Sequence, residues 1–459
     1  MTGVHQPEGW AATQTSIPLP SQGDGAMRQD SVVPWTVRGR RRVYTGSIPV
    51  APLLTSTGAL SVRPEPYADW RHVMLRFGIA LFLVLLWLGS AAAPGTAFPS
   101  PPVIGNACGW RLIPAPSTTN DGNELLGVWA TSSTDAWAVG YHSDNFSGDS
   151  WPLTEHFNGT AWSIVSSPQP EFSSVSSVRE ISPTDVWAVG TAQNQSTFAN
   201  QTLTMHWNGS SWTIIPSPNA GTVDDELHGL AYSNSNDVWA FGYSFDTVSG
   251  HYLTLTEHWN GASWSIVPSV SVTGANNFLI AGGAVNPLNV WTVGYAQGNG
   301  SPGALAEVWN GSVWTGVPTP NIGYSIFRAF TPIGRRDSWA IGDTSNGTNL
   351  EPLAERWNGS TFSVASTPTV SGRNVDIWGA AAVNANDVWA VGNVESPDRT
   401  FTMNWNGASW SIVASPNRGT RDNVLDAAVT IPGTTNVWAV GKFFRTSLQS
   451  HVLVMKFHC

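Results

Sequence analysis

Charged side chains are scarce in this sequence: Asp, Glu, Lys and Arg together make up 11% of 459 residues, and acidic groups outnumber basic ones 31 to 21. A formal net charge of −10 argues against a nucleic-acid partner, because phosphate binding needs a basic face that displaces counterions. The one basic cluster, Arg38-Gly39-Arg40-Arg41-Arg42, lies near the start, outside the repeats described below. Long apolar runs are also lacking, apart from Phe77 to Ala93, which is at the lower limit of a spanning helix, so membrane contact is expected only there. No Ser-His-Asp order, phosphate loop or nucleotide fingerprint stands at a usable spacing. Glycine (45) and tryptophan (25) are abundant, a combination that suits short strands joined by tight turns rather than helices or disorder.

Arg71 and Arg76 precede the apolar run and small residues follow it, with Gly95-Thr96-Ala97 as a processing site. If translation begins at Met74, residues 74–97 are a signal peptide and residues 1–73 are a misassigned start or a disordered extension. The other reading is a signal anchor whose cytoplasmic tail carries Arg38 to Arg42. On both, residues 98–107 are a linker and the repeats lie outside the cytoplasm, secreted or anchored at the cell surface.

From Gly109 onward one pattern returns: TDAWAVG, TDVWAVG, NDVWAFG, LNVWTVG, RDSWAIG, NDVWAVG and TNVWAVG, anchored on Trp137, Trp187, Trp239, Trp291, Trp339, Trp389 and Trp438. A spacing of about fifty residues suits the four-stranded blade of a β-propeller. Each of the first six anchors is followed by a second element, FNGTAW, WNGSSW, WNGASW, WNGSVW, WNGSTF or WNGASW, in which Asn-Gly between aromatic segments marks a hairpin with a loop of two or four residues. One unit reads as an inner strand over Leu227 to Tyr232, a second over Val238 to Tyr243, a third over Tyr252 to Trp259, and an outer strand from Trp264 to Pro268.

There are seven anchors but six complete hairpins. The end of the chain, HVLVMKFHC, aligns with LTLTEHWNG, and CGWRLIPAPS aligns with ASWSIVPSV. The fold expected over 108–459 is therefore an all-β seven-bladed propeller of four-stranded antiparallel blades, the last closed by strands from both termini. Cys108 and Cys459, the only two cysteines, meet at that break as a disulfide, which fits an oxidising compartment. A monomer is expected.

On these repeats the chain resembles the seven-bladed propellers of secreted bacterial proteins of the kelch-like or galactose-oxidase-like kind, a likeness that covers Cys108 to Cys459. The paired-glycine strand of kelch units has a counterpart only at Gly282-Gly283. A galactose-oxidase-type copper site, which the resemblance would imply, needs a Cys cross-linked to Tyr, and both cysteines are otherwise used. A sialidase-like site would have to draw its arginine trio from Arg179, Arg328 and Arg373 or Arg421. No catalytic residue and no metal ligand is assigned, and no cofactor is expected. Ca²⁺ is the one ion that carboxylates could take, yet the loops carry no compact alternating acidic motif.

Repeated tryptophans such as Trp187 and Trp212 are read as packing between sheets, whereas Trp129, Trp151 and Trp378 fall outside the repeated places and can stack on a ligand. His156, His206 and His258 share one place on different blades and cannot converge, while His228 falls on an inner strand facing the channel. The connections that differ between repeats all lie on one face, where binding scaffolds diversify. Asp224, Asp225 and Glu226 are charged groups near that face. The ligand-binding candidates are Trp129, His228, Arg328, Asp376, Trp378, Arg421 and Asp426. The function expected is noncatalytic binding of a protein or glycan through the variable-loop face. The alternative is a carbohydrate-active enzyme, oxidase-like or sialidase-like, with its site at the channel mouth.

Overall fold

A computed structural model describes residues 32–38, 43–49, 108–120, 122–320, 322–446 and 449–459; the signal or anchor segment and the linker lie outside them. Within the N-terminal extension, Val32–Arg38 pairs antiparallel with Val43–Pro49 as a separate hairpin. Among the described residues there is no helix long and apolar enough to cross a membrane.

Residues 108–459 form seven four-stranded antiparallel sheets in a propeller ring. Blade 1 runs from Gly122 to Ile164, blade 2 from Ser173 to Ile214, blade 3 from Asp225 to Ile266, blade 4 from Asn276 to Gly316, blade 5 from Ser325 to Val364 and blade 6 from Val375 to Ile412. Blade 7 takes Asn423–Thr430, Val437–Phe444 and Ser450–His458 from the C-terminus and Gly109–Leu112 from the other end, with Trp110 opposite Phe457. Cys108 and Cys459 are joined by a disulfide, their Cα atoms 4.1 Å apart.

Aromatic packing explains the fixed Trp places. Each anchor is almost fully buried and meets two aromatic rings of the next blade: Trp137 lies 5.1 Å from Trp207 and 5.2 Å, edge-on, from Trp212. The pattern continues around the ring to the seam, where Trp389 meets Trp110 edge-on at 5.4 Å and Trp438 meets Trp162 at 5.4 Å. Such pairs add about 0.5–1.5 kcal/mol each beyond the area they bury. His156, His206 and His258 pair within their own blades with Asp135, Asp185 and Asp237, at 2.7, 2.9 and 2.8 Å. The residue before each His is Glu155, Met205 or Glu257; with Glu307, Glu355, Met403 and Met455 these occupy one fully buried place on all seven third strands.

The Asn-Gly hairpin loop has four residues, as in Asn260–Ser263. Only the glycine takes positive φ, 92° at Gly261, while the Asn260 side chain accepts hydrogen bonds from the amides of Ala262 and Ser263. Asn is therefore required here as a side-chain acceptor, not for its tolerance of left-handed backbone.

A β-bulge interrupts every inner strand at the same point: in blade 3 Leu227 pairs with Gly242 and Gly229 with Phe241, leaving His228 as the extra residue. The glycine opposite is obligatory by close approach, since a Cβ at Gly242 would lie 1.7 Å from the Glu226 carbonyl oxygen, and at Gly140 1.9 Å from that of Glu124. Gly242→Ala is expected to lower stability by about 2–3 kcal/mol, read from urea unfolding monitored by tryptophan fluorescence, because the strand pair must separate. An unchanged midpoint would contradict the geometry.

Candidate functional site

The seven bulge residues are Leu126, Ser176, His228, Ile280, Arg328, Trp378 and Asp426. Each blade contributes one, and all seven line a single central cavity of about 470 Å³. The bulge is why they gather there: the extra residue has no cross-strand partner and is re-aimed out of the ladder.

The walls of the cavity differ in chemistry. Blades 3 and 4 supply an aromatic arc of Tyr243, Tyr252, Phe278 and Tyr295, with Tyr243 edge-on to Phe278 at 4.9 Å. The Tyr243 hydroxyl donates to Glu226 at 2.8 Å, Asn200 donates to the same carboxylate at 2.8 Å, and the His228 ring stacks on Tyr243 with its Nε2 3.4 Å from Glu226. On the next two blades, 5 and 6, the Arg328 guanidinium lies 3.9 Å above the Trp378 ring and donates to the buried Asp343 at 2.9 Å, while the Trp378 indole donates to Asn393 at 2.9 Å. Toward the variable-loop face, Tyr141 and Lys442 both donate to Glu124, at 2.6 and 2.9 Å. Toward the opposite face, Arg179 rests 4.4 Å from the Trp129 ring and reaches the Gly282 carbonyl of blade 4 at 3.4 Å. Burial lowers the Arg179 guanidinium to about 10.

Of the residues singled out in the sequence, Arg179, Asp224, Glu226, His228, Arg328, Trp378 and Asp426 line this cavity. Trp129 does not line it; its ring packs against Arg179 and its indole donates to the Glu180 carbonyl at 3.1 Å. Asp376 is set among neighbouring acids, and burial first, with the charges of Asp343 and Glu395, pushes its carboxyl up to about 8. Arg179 and Arg328 both line the central cavity, but Arg421 lines a second cavity at the rim and Arg373 is taken up by the Glu395 and Pro397 carbonyls, so no third arginine joins them to complete a sialidase-like trio. Asp225 is a buried clamp that accepts the amides of Ala220 and Gly221. Trp151 stacks on His142 at 5.4 Å in blade 1. Among the described residues no group of three His, Cys, Asp or Glu side chains could hold a metal ion.

Sequence reasoning passed over Tyr141, Tyr243 and Tyr295. Their signal was present, as the residue directly after the repeated glycine in AVGY, AFGY and TVGY.

No protein-family model matches the chain, and no curated protein matches it. Among solved structures it is similar to YCF48 from Cyanidioschyzon merolae, at 13% identity over 76% of this chain and 98% of that one, with a TM-score of 0.48. It is also similar to an ulvan lyase of a new polysaccharide lyase family, at 9% identity over 74% of this chain and 95% of that one, TM-score 0.48. A third similarity is to the extracellular domain of a putative one-component system from B. thetaiotaomicron, at 9% identity over 76% of this chain and 40% of that one, TM-score 0.47. At such identities and TM-scores these likenesses carry nothing further about this chain, whose propeller is read from its own seven sheets.

Proposed function

We propose that this chain is an extracellular, noncatalytic propeller of the kelch-like or galactose-oxidase-like kind that binds a protein or glycan segment at the variable-loop mouth of its central cavity. The observation that carries the reading is the cavity itself, which brings the aromatic arc of Tyr243, Tyr252, Phe278 and Tyr295 and the Arg328–Trp378 pair of the next two blades into one wall. Aromatic faces with a few convergent polar groups are what sugar rings and peptide side chains bind. The polar groups of the wall are tied to one another, as in Arg328 with Asp343 and Tyr243 with Glu226, which favours a fixed recognition surface over groups poised to react. The disulfide supports an oxidising location.

A glycan array and a pull-down with the purified chain identify the ligand. Tyr243→Ala and Trp378→Ala are each expected to weaken its binding at least ~10-fold in a calorimetric titration while leaving Tm within a few degrees. Ligand binding that survives both substitutions sinks the assignment to this cavity.

A carbohydrate-active enzyme, oxidase-like or sialidase-like, with its site at the channel mouth is the second reading. What favours it is Asp376, since burial and the charges of Asp343 and Glu395 push its carboxyl up to about 8, the direction in which a general acid is tuned. Turnover of a sugar substrate that is abolished by Arg328→Gln and Asp426→Asn would replace the first reading.

A further inference from the structure

We infer that the rim cavity over blade 7 is a second binding site, one that engages the sulfate or carboxylate groups of an anionic polysaccharide through Arg418, Arg421 and Arg445. The inference rests on the reading of the variable-loop face as a binding surface, but on residues separate from those of the central cavity.

The cavity, about 580 Å³, lies between the loop that enters blade 7 and the connection between that blade's second and third strands, with Ala115 to Thr118 on its other side. Three guanidiniums and His451 gather around it in a chain whose net charge is −10. The contrast with other arginines is direct: Arg328 and Arg356 are paired with Asp343 and Asp337, whereas Arg418, Arg421 and Arg445 have no carboxylate partner among the described residues. The carboxylate nearest in sequence, Asp422, accepts the Asp398 amide at 3.2 Å. All three arginines are exposed, so a ligand reaches them without displacing protein.

The loop that carries two of them is held in place. Asn423, fully buried, accepts the Arg418 amide at 2.7 Å and donates to the Arg421 carbonyl at 2.6 Å. Arg399 donates to the carbonyls of Thr420 and Arg421 from the other side. Arg418 rests on the Phe443 ring at 4.8 Å, and His451 stacks on that same ring at 5.5 Å. Burial lowers the proton affinity of His451, and the charges of Arg445 and Arg418 lower it further, so both guanidiniums act on one small volume. A fixed base reduces the ordering cost of binding.

The arrangement fits a chain of anions better than a single one. The cations stand on two different loops and open to solvent, so one small ion would meet only part of the set, while a polymer carrying regularly spaced charges meets all of it. Arginine forks match the planar carboxylate and the sulfate oxygens, and Thr118 and Thr420 beside them offer hydroxyls to sugar hydroxyls.

The test titrates the full chain with oligosaccharides of dextran sulfate, of polygalacturonate and of neutral dextran, at low and moderate salt. Either anionic probe is expected to bind at least ~10-fold more tightly than dextran and to weaken with salt. Preference for dextran sulfate assigns the site to sulfate, and preference for polygalacturonate assigns it to carboxylate. The triple variant R418Q/R421Q/R445Q should lose this binding with Tm unchanged, and Trp378→Ala should retain it. Failure of this site therefore leaves the central-cavity reading standing, and failure of that reading leaves this one. Equal binding of dextran, equal binding of duplex DNA, no binding of either anionic probe, or an unaffected triple variant overturns the inference.

Discussion

Replacing Cys108 and Cys459 by serine is expected to lower the melting temperature of the propeller by about 5–10 °C. The bond links residues 351 apart and is the only covalent tie between the two ends of the ring. In the chain-entropy account a loop of that length contributes about 5–6 kcal/mol by restricting the unfolded chain, as an upper bound. Spread over the unfolding entropy of roughly 350 residues, that energy corresponds to a shift of this size. The loss also has a structural focus. Gly109–Leu112 is only four residues long and pairs with Ser450–His458, so without the sulfur bridge the outer strand of blade 7 is held by a short ladder and by Trp110 against Trp389 and Phe457. Fraying should begin there, and proteolysis near residue 110 should outpace cleavage elsewhere in the ring. Differential scanning calorimetry with and without reductant measures the first effect. Equal melting temperatures for the wild type and the double-serine variant would show that the ring closes on strand pairing and aromatic contacts alone.

The ring was readable in the sequence because its determinants repeat in place. An anchor such as Trp187 must fill one gap between two sheets, and Asn260 must cap one turn, so neither position tolerates much change between blades. The seam was legible for the same reason, from Phe457 and Trp110 standing where Trp259 and Trp264 stand in blade 3. The cavity was half legible. His228, Arg328, Trp378 and Asp426 could be placed on inner strands, but the bulge that turns them toward the axis adds a residue without breaking the period. Only the glycine opposite betrays it. Arg421 could be placed near the variable-loop face but not between the rim and the channel mouth, because loop residues follow no repeat register; the clamp by Asn423 holds that loop at the rim. Glu257, beside His258 in TEHW, reads as one more polar strand residue. The third strand is covered on both faces, so alternation there does not separate solvent from core.

Those buried glutamates give the last and most direct test. Glu155, Glu257 and Glu355 are fully buried at a place where blades 2, 6 and 7 carry Met205, Met403 and Met455. None of their carboxyl oxygens has a hydrogen-bond partner among the described residues, whereas one Glu307 oxygen accepts the Val270 amide at 3.0 Å. Burial pushes all three carboxyls up to about 8, with the nearby Asp225 charge adding to the effect at Glu257. A carboxyl whose proton is held more tightly in the folded chain stabilises it fully below the unfolded pKa of about 4.5, and that contribution is lost as pH rises to about 8. Stability of the wild type should therefore fall across this window. Glu257→Met fits the place without an ionisable group and is expected to raise stability by about 2 kcal/mol at pH 9, with little change at pH 5. Glu257→Gln, which keeps the polar atoms but cannot ionise, should lessen the pH slope as Glu257→Met does, the other buried glutamates keeping the rest of it. Guanidinium unfolding of the three proteins at pH 5, 7 and 9 supplies the comparison. The same pH slope in all three would mean that the carboxyl is already ionised, or solvated, in the folded ring, and a less stable Glu257→Met at every pH would show that the interface between blades 2 and 3 depends on the polar group itself.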